Sequence, residues 1–418
     1  MDKISDTFKW LWLTSCFGVG NKGLWNYLGK NLDFESKFDM IYDKDKRAKL
    51  HLSNKEMHSA ASITDKQVNE LISYCKNHNI GILCYSDKEY PDRLKNIFNP
   101  PAVLFYKGNL DCLYSELILS VVGARTPSEY SKKITTALIR QLSEFELTIV
   151  SGFALGIDIE AHLAAIRNGA KTIAVIGCGI EHSYPADNMK YRDEILANGV
   201  IISEYYPKTK PASYMFPARN RILSGISAGT IVIEASTKSG SLITANLALS
   251  HGHDIFTIPP HNLFDSRYYG NIKLLRDGAI PIYGIQDIIY EYYENYSHKL
   301  TQVKNYTKII NIDNTDSIKN NLISNSDNLN PIGIDIDDIS VIHEVDLTPL
   351  DDVRKNIMNI LIKHNAPMLV DEISLLSGIS IDELFEILTS LELDEYIESR
   401  AGNSFTISNK GTNPTAIT

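Results

Sequence analysis

The sequence predicts an α/β protein with a parallel sheet at its centre, and three observations carry that prediction. Six short apolar runs follow one another: ILSVVG (118–123), TIVSG (148–152), TIAVIG (172–177), VIISE (200–204), TIVIEA (230–235) and DIFTIP (254–259). Helical patterns lie between most of them, and strands separated by helices imply right-handed crossovers and parallel pairing. The runs are unbroken rather than alternating in polarity, which fits strands covered on both faces. In such sheets ligands bind beyond the carboxyl ends of the strands.

A chain of 418 residues suggests two to three domains. With 44% hydrophobic and 22% charged residues, it needs no disulfide or metal to hold a core. Four regions separate. Residues 1–110 look mainly helical, with short strands near 80–85 and 102–107. Residues 111–285 form the α/β core. Residues 286–350 are rich in Asn, Asp, Ile and Tyr and read as a linker. Residues 351–418 return to compact helical patterning. From Asp335 to Asp352 every charged side chain is acidic. Such a tract buries too little apolar area to offset chain entropy, so partial disorder is expected there.

The five cysteines, Cys16, Cys75, Cys84, Cys112 and Cys178, form no CxxC pair and no metal-ligand spacing. They read as reduced thiols of a cytoplasmic protein, and neither a metal nor a cofactor is expected. The apolar patch Trp10–Leu13 is too short for a signal peptide, and no run has transmembrane length. The formal net charge of −10 argues on its face against nucleic acid. Binding depends on the local face, however. Much of the acid lies in the linker and the C-terminal region, while the core groups its arginines.

Five segments carry chemistry. In Val122-Gly123-Ala124-Arg125-Thr126-Pro127-Ser128, Gly123 lets the backbone approach a ligand and Ser128 can cap a helix. Arg125 would project from a strand's carboxyl end, where bidentate phosphate contact is natural; a plain surface arginine is the alternative. In Ser151-Gly152-Phe153-Ala154-Leu155-Gly156-Ile157-Asp158, backbone N–H groups at a helix start form an anion site, or the glycines serve tight packing. His162 beyond it reads as structural. Gly177-Cys178-Gly179 to Tyr184-Pro185 could shape the mouth of the site, with no base to activate Cys178. Phe216-Pro217-Ala218-Arg219-Asn220-Arg221 puts a stacking ring beside two cations, as single strands need. Its alternative buries Phe216 and solvates the arginines. Ser239, Gly240, Ser241 and Thr244 open a further helix suited to phosphate, and no GxxxxGK[ST] is present.

The flanks are read separately. Phe17-Gly18-Val19-Gly20-Asn21-Lys22 between two helical patterns suggests a helix-hairpin-helix (SAM-like) domain. Gly18, Gly20 and Lys22 there are auxiliary DNA-contact candidates or a structural hairpin. Residues 371–407 read as helix, turn, helix and wing. Asp382, Glu383, Glu386, Glu392, Asp394 and Glu395, with no Lys or Arg, would repel phosphate from the expected recognition helix. A protein contact is expected of it instead.

Taken together, these turns resemble the DprA/Smf family of bacterial DNA-processing proteins, in order and spacing. Tyr90-Pro91 through Asn99-Pro100-Pro101 also resembles that family's lead-in to the core. The resemblance implies an extended Rossmann-like core, often dimeric, that binds single-stranded DNA and hands it to the RecA recombinase in natural transformation, without catalysis. It implies phosphate contact at Arg125, with Phe216, Arg219 and Asn220 in the same pocket. Four positions depart: Ala124 for Ser or Thr, Leu155 for Arg, Pro259-Pro260 for Pro-Gly, and Gly270-Asn271-Ile272 near the family's Gly-x-Asn. These departures predict reduced DNA affinity. Met215 to Arg219 also loosely resembles the arginine segment of LOG-like nucleotide phosphoribohydrolases. Their catalytic glutamate has no counterpart between Ser239 and Asn246.

Overall fold

The N-terminal third begins with helices whose starts are written in the sequence. They are α1 (Asp6–Phe17), α2 (Lys22–Leu28), α3 (Phe34–Tyr42), α4 (Lys44–Arg47), α5 (Asn54–Ser62) and α6 (Asp65–Asn77). Ser53 with Glu56 and Thr64 with Gln67 form capping boxes at α5 and α6. Helix α1 is buried nearly all round, through Trp10, Leu11, Trp12 and Leu13. Trp10 stacks on Phe34 with ring centroids 4.3 Å apart and donates its indole N–H to Ser86 Oγ at 2.8 Å. This computed structural model describes residues 4–300 except 21, 30–32 and 183, and residues 350–407 except 365–367, 395 and 401–403. Two compact units divide the chain, Met1–Asp335 and Ile336–Thr418.

All six apolar runs are strands. In chain order the first unit continues β1 (Gly81–Cys84), α7 (Asp92–Lys95), β2 (Val103–Gly108), β3 (Ile118–Val122), α8 (Glu129–Leu142), β4 (Thr148–Ser151), α9 (Ile157–Arg167), β5 (Lys171–Val175), α10 (Arg192–Asn198), β6 (Gly199–Ser203), α11 (Met215–Ile226), β7 (Gly229–Val232), α12 (Gly240–Ser250), β8 (Asp254–Thr257), α13 (Tyr269–Arg276), β9 (Ile280–Pro281) and α14 (Gln286–Tyr296). The sheet order is β1-β2-β6-β5-β4-β3-β7-β8-β9. From β6 to β9 every neighbour is parallel, whereas β2 joins β6, and β1 joins β2, antiparallel. The two strands expected before residue 110 thus extend the core's own sheet. Apolar cover lies on both faces. Leu119, Val121, Ile149 and Ile231 pack with Ile134, Leu138 and Ile288 on one side. Ile118, Val150, Ile173 and Val200 pack with Ile222, Leu223 and Ile226 on the other. Each fully buried side chain of this kind contributes about 1.5–3 kcal/mol.

Strand order reverses beside β3. The chain moves one way through β4, β5 and β6, then returns to place β7 on β3's other side. The loops after β3 and β7 therefore diverge and leave a crevice between them. Residues 286–296, expected to begin the linker, form α14 instead. Ile288, Ile289 and Tyr292 recur at helical spacing there and are buried. Most of the expected linker, 301–349, lies outside the described residues.

The second unit has α15 (Asp352–His364), β10 (Met368–Leu369), α16 (Val370–Ser377), α17 (Ile381–Leu393), β11 (Ile397–Arg400) and β12 (Ser404–Ile407). Its strands pair antiparallel in the order β10-β12-β11. Gly378, at φ 71°, ends α16 in the left-handed region and turns the chain into α17. Ile357, Leu361, Ile373, Leu384 and Leu388 form its core. This is the expected helix, turn, helix and wing.

Candidate nucleic-acid interface

The crevice between β3 and β7 opens into a cavity of about 660 Å³. Gly123, Arg125, Asp158, Phe216, Arg219, Asn220, Ser239, Gly240, Ser241 and Thr244 all line it. Arg125 and Arg219 thus share one pocket. Arg125 is exposed and makes no hydrogen bond or ion pair among the described residues. The first turn of α12 faces the same space, and backbone N–H groups at a helix start lack intrahelical partners. Ser239 caps that helix and its Oγ lies 2.6 Å from Ser241 Oγ.

Two glycines let the turns around the cavity close-pack, although neither lines the cavity itself. Gly156 sits at φ 80°, and a Cβ there would stand 2.3 Å from the Ala124 carbonyl oxygen. Only a glycine lets the start of α9 lie under the Arg125 turn, where Ile157 N–H donates to that carbonyl at 3.1 Å. A Cβ on Gly152 would stand 2.2 Å from Arg219 Nη1 and 2.5 Å from Asp158 Oδ2. Gly152 N–H donates to Asp158 Oδ2 at 3.1 Å and Ala154 N–H at 3.4 Å. Arg219 Nη1 donates to the Val175 carbonyl, while its buried Nε has no partner among the described residues. Burial pushes the Arg219 guanidinium down to about 10, with Asp158 opposing. Burial also raises the Asp158 carboxyl, with Arg219 and the two N–H donors opposing. Behind them His162 is fully buried, its Nδ1 2.7 Å from Thr172 Oγ1. Desolvation holds its pKa at about 3, so it stays neutral.

Phe216 is half-buried rather than lost in the core, and its ring lies 5.2 Å from that of Tyr184 at 36°. Both rings line the cavity beside Asn220.

The model of the family described as DNA recombination-mediator protein A matches residues 81–293. The chain belongs to the DprA/Smf family. A DprA winged helix domain matches residues 343–403. DNA processing protein DprA of Bacillus subtilis is 41% identical over 216 residues, which are 52% of this chain and 72% of that one. The Streptococcus pneumoniae DprA is 44% identical over 206 residues, 49% of this chain and 72% of that one. The X-ray structure of the S. pneumoniae protein superposes with a TM-score of 0.60 at 34% identity, covering 69% of this chain and 98% of that one.

Several candidates lie elsewhere than expected. Arg221 is buried away from the cavity. It pairs with Glu204 at 2.6 Å and donates to the Asn99 and Ala218 carbonyls at 2.9 and 3.1 Å. Two positions along a helix turn a side chain by roughly 200°, so Arg219 and Arg221 of this DprA-family helix face opposite ways. Ser151 is buried in β4, where its Oγ donates to Val121 O at 2.6 Å. Gly18 N–H is spent on Thr14 O at 2.8 Å. Gly20 offers its carbonyl to Asn99 Nδ2 at 2.8 Å, and Lys22 Nζ lies over the Phe98 ring at 4.6 Å. None of these three lines the cavity. Leu155 lines a smaller adjoining space of about 50 Å³. Asn271 is a clamp: its Nδ2 donates to Ile233 O and Ile258 O at 2.9 and 3.1 Å, and its Oδ1 accepts Ala235 N–H at 2.8 Å.

Two cavity-lining charges went unread in the sequence. Glu234 is buried and accepts Ser128 N–H and Oγ–H at 2.9 and 2.7 Å. Arg267 lines the cavity from the loop before α13. Glu234 lies two residues past the carboxyl end of β7, a position that could have flagged it; Arg267 had no motif around it. No described helix is long and apolar enough to cross a membrane.

Proposed function

We propose that this protein binds single-stranded DNA, with the phosphate chain across Arg125 and the start of α12 and a base against Phe216 and Tyr184. One observation carries the reading: a guanidinium with no hydrogen bond among the described residues, the capped first turn of α12 and two rings converge on one cavity at the switch point of the sheet. Membership of a family described by recombination mediation supports a further step, in which the bound strand is passed to a RecA-type recombinase. We infer a homodimer through the α/β core as the working form. The winged-helix unit, acidic on α17, is assigned to protein contact. Deleting residues 345–418 then leaves DNA binding intact and changes partner binding.

The test is fluorescence anisotropy with single-stranded and duplex DNA over a salt series. Log K for the single strand should fall with log[salt] at about −0.7 per neutralised phosphate. Affinity indifferent to salt, or equal for duplex, refutes the reading.

A nucleotide phosphoribohydrolase reading gains one point: Asp158 and Glu234 both line the cavity. Both carboxylates are engaged by internal donors. Release of free base from nucleoside monophosphates, lost in Glu234→Gln, would establish it; no release removes it.

A further inference from the structure

The loop between β8 and α13 combines extreme exposure at its tip with rigid anchoring at its base. Phe264 is 88% exposed, the highest value among the large apolar side chains of the described residues, and Leu263 beside it is 68% exposed. A solvated ring of this size sits at a cost in water, so its neighbours indicate what covers it. Three residues on, Arg267 lines the cavity.

The base of the loop is fixed by Tyr268, which is fully buried. Its hydroxyl meets Ser131 Oγ at 2.7 Å and Ser128 Oγ at 3.1 Å. Ser128 is also the residue that Glu234 holds, and it caps α8 only three positions after Arg125. One hydrogen-bond network therefore sets the loop and the Arg125 turn relative to each other. The His261 ring lies 5.1 Å from Tyr268 and 4.7 Å from Tyr130, adding apolar support. At the tip, Phe264 N–H donates to Asn262 Oδ1 at 2.9 Å, which shapes the turn presenting the ring.

Arg267 is not free of partners. Its Nε and Nη2 donate to Asp265 Oδ1 and Oδ2 at 3.0 and 2.7 Å. That pairing locks the plane of the guanidinium but uses only part of its five donors, and Nη1 is unengaged among the described residues. Such a group positions a phosphate more than it attracts one from a distance, because Asp265 offsets its charge.

We propose that residues 261–269 form a second stacking platform for single-stranded nucleic acid, with Phe264 as the ring and Arg267 as the phosphate-positioning group. The proposal rests on the single-strand reading and extends it from one pocket to a track of two ring platforms. The first is Tyr184 and Phe216 inside the cavity; the second is Phe264 outside its rim. A short oligonucleotide fills only the first, and a longer one reaches both.

The test compares oligothymidylates of about 4 and about 20 nucleotides, lengths that bracket one stacking site and a full track. Phe264→Ala should bind the long strand roughly tenfold more weakly and leave the short one unchanged, since base–aromatic stacking is worth about 1–3 kcal/mol. Arg267→Ala should lower the salt slope for the long strand by about 0.7. Phe264→Trp should keep affinity and show emission quenched by the long strand only. Phe264 is exposed, so these variants should melt like the parent protein. Unchanged affinity of Phe264→Ala for the long strand, while Phe216→Ala is weakened, overturns the platform and leaves the pocket standing. A parent protein that binds neither strand overturns both.

Discussion

Two arginine sites flank α11, and they are built on opposite rules. On one side each of the three guanidinium nitrogens of Arg221 is engaged, by Asn99, Ala218 and Glu204, and the Asn99 side chain in turn holds Gly20. On the other side Arg125 is exposed and without a partner among the described residues, and Asn220 and the start of α12 face the same open cavity. The first site is a bolt tying the helical hairpin to the sheet. The second leaves the Arg125 donors unmet among the described residues, which suits a ligand that brings its own oxygens. A cluster of basic residues in one sequence segment therefore says little until the partners are known. The net charge of −10 says less still, because charge acts at the face where it sits.

The largest effect should come from opening the bolt. Glu204→Ala leaves the Arg221 guanidinium buried without its counter-ion, which costs about 3–5 kcal/mol of stability. Urea unfolding should show the loss, while the protein still folded keeps its single-strand affinity. A variant that loses DNA binding without losing stability would move Arg221 into the binding site.

Next comes acid. His162 is buried and neutral, with its pKa held at about 3 against an ordinary 6.5. The unfolded chain binds its proton first, so stability is fully present above pH 6.5 and is lost as pH falls from there towards 3. The slope from this group is about 1.4 kcal/mol per pH unit. His162→Gln should flatten the profile within that window. Identical profiles would mean that the ring behind the pocket is solvated.

Arg125→Ala should leave the melting temperature unchanged and weaken single-strand binding by roughly ten- to a hundredfold, the value of a charge-assisted contact of about 1.5–3 kcal/mol. The salt slope should fall by about 0.7. A drop in stability instead would make Arg125 a second bolt.

The contrast also explains what the sequence disclosed. Strands announced themselves because burial on both faces demands unbroken apolar runs. The Arg125 turn and the Ser239 helix start were legible because position at a strand's carboxyl end fixes where they point. Arg219 and Arg221 were not separable by composition; only helical phase divides them, and phase needs the helix start at Met215. Helix α14 was hidden in an Asn-, Asp- and Tyr-rich stretch, since Ile288, Ile289 and Tyr292 alone mark its buried face. Arg267 was invisible because a long loop brings it back, through Tyr268, to a turn some 140 residues earlier in the chain.

The smallest effect concerns α17, where the comparison extends to the second unit. Glu383 and Glu386 are exposed on it beside the half-exposed Ile381 and Phe385. Carboxylates at these positions repel a duplex, whereas the apolar side chains beside them suit a protein surface carrying basic residues. Glu383→Lys with Glu386→Lys reverses the sign without touching the core of Leu384 and Leu388. Duplex affinity of the full chain should then rise less than tenfold, and the duplex salt slope should steepen by about 0.9 for each lysine that finds a phosphate. Single-strand affinity for the short oligonucleotide should stay where it was, because the rim of the sheet supplies it. If recharging leaves duplex binding unmoved, shape rather than charge keeps α17 out of the groove, and the apolar pair Ile381 and Phe385 becomes the face to follow.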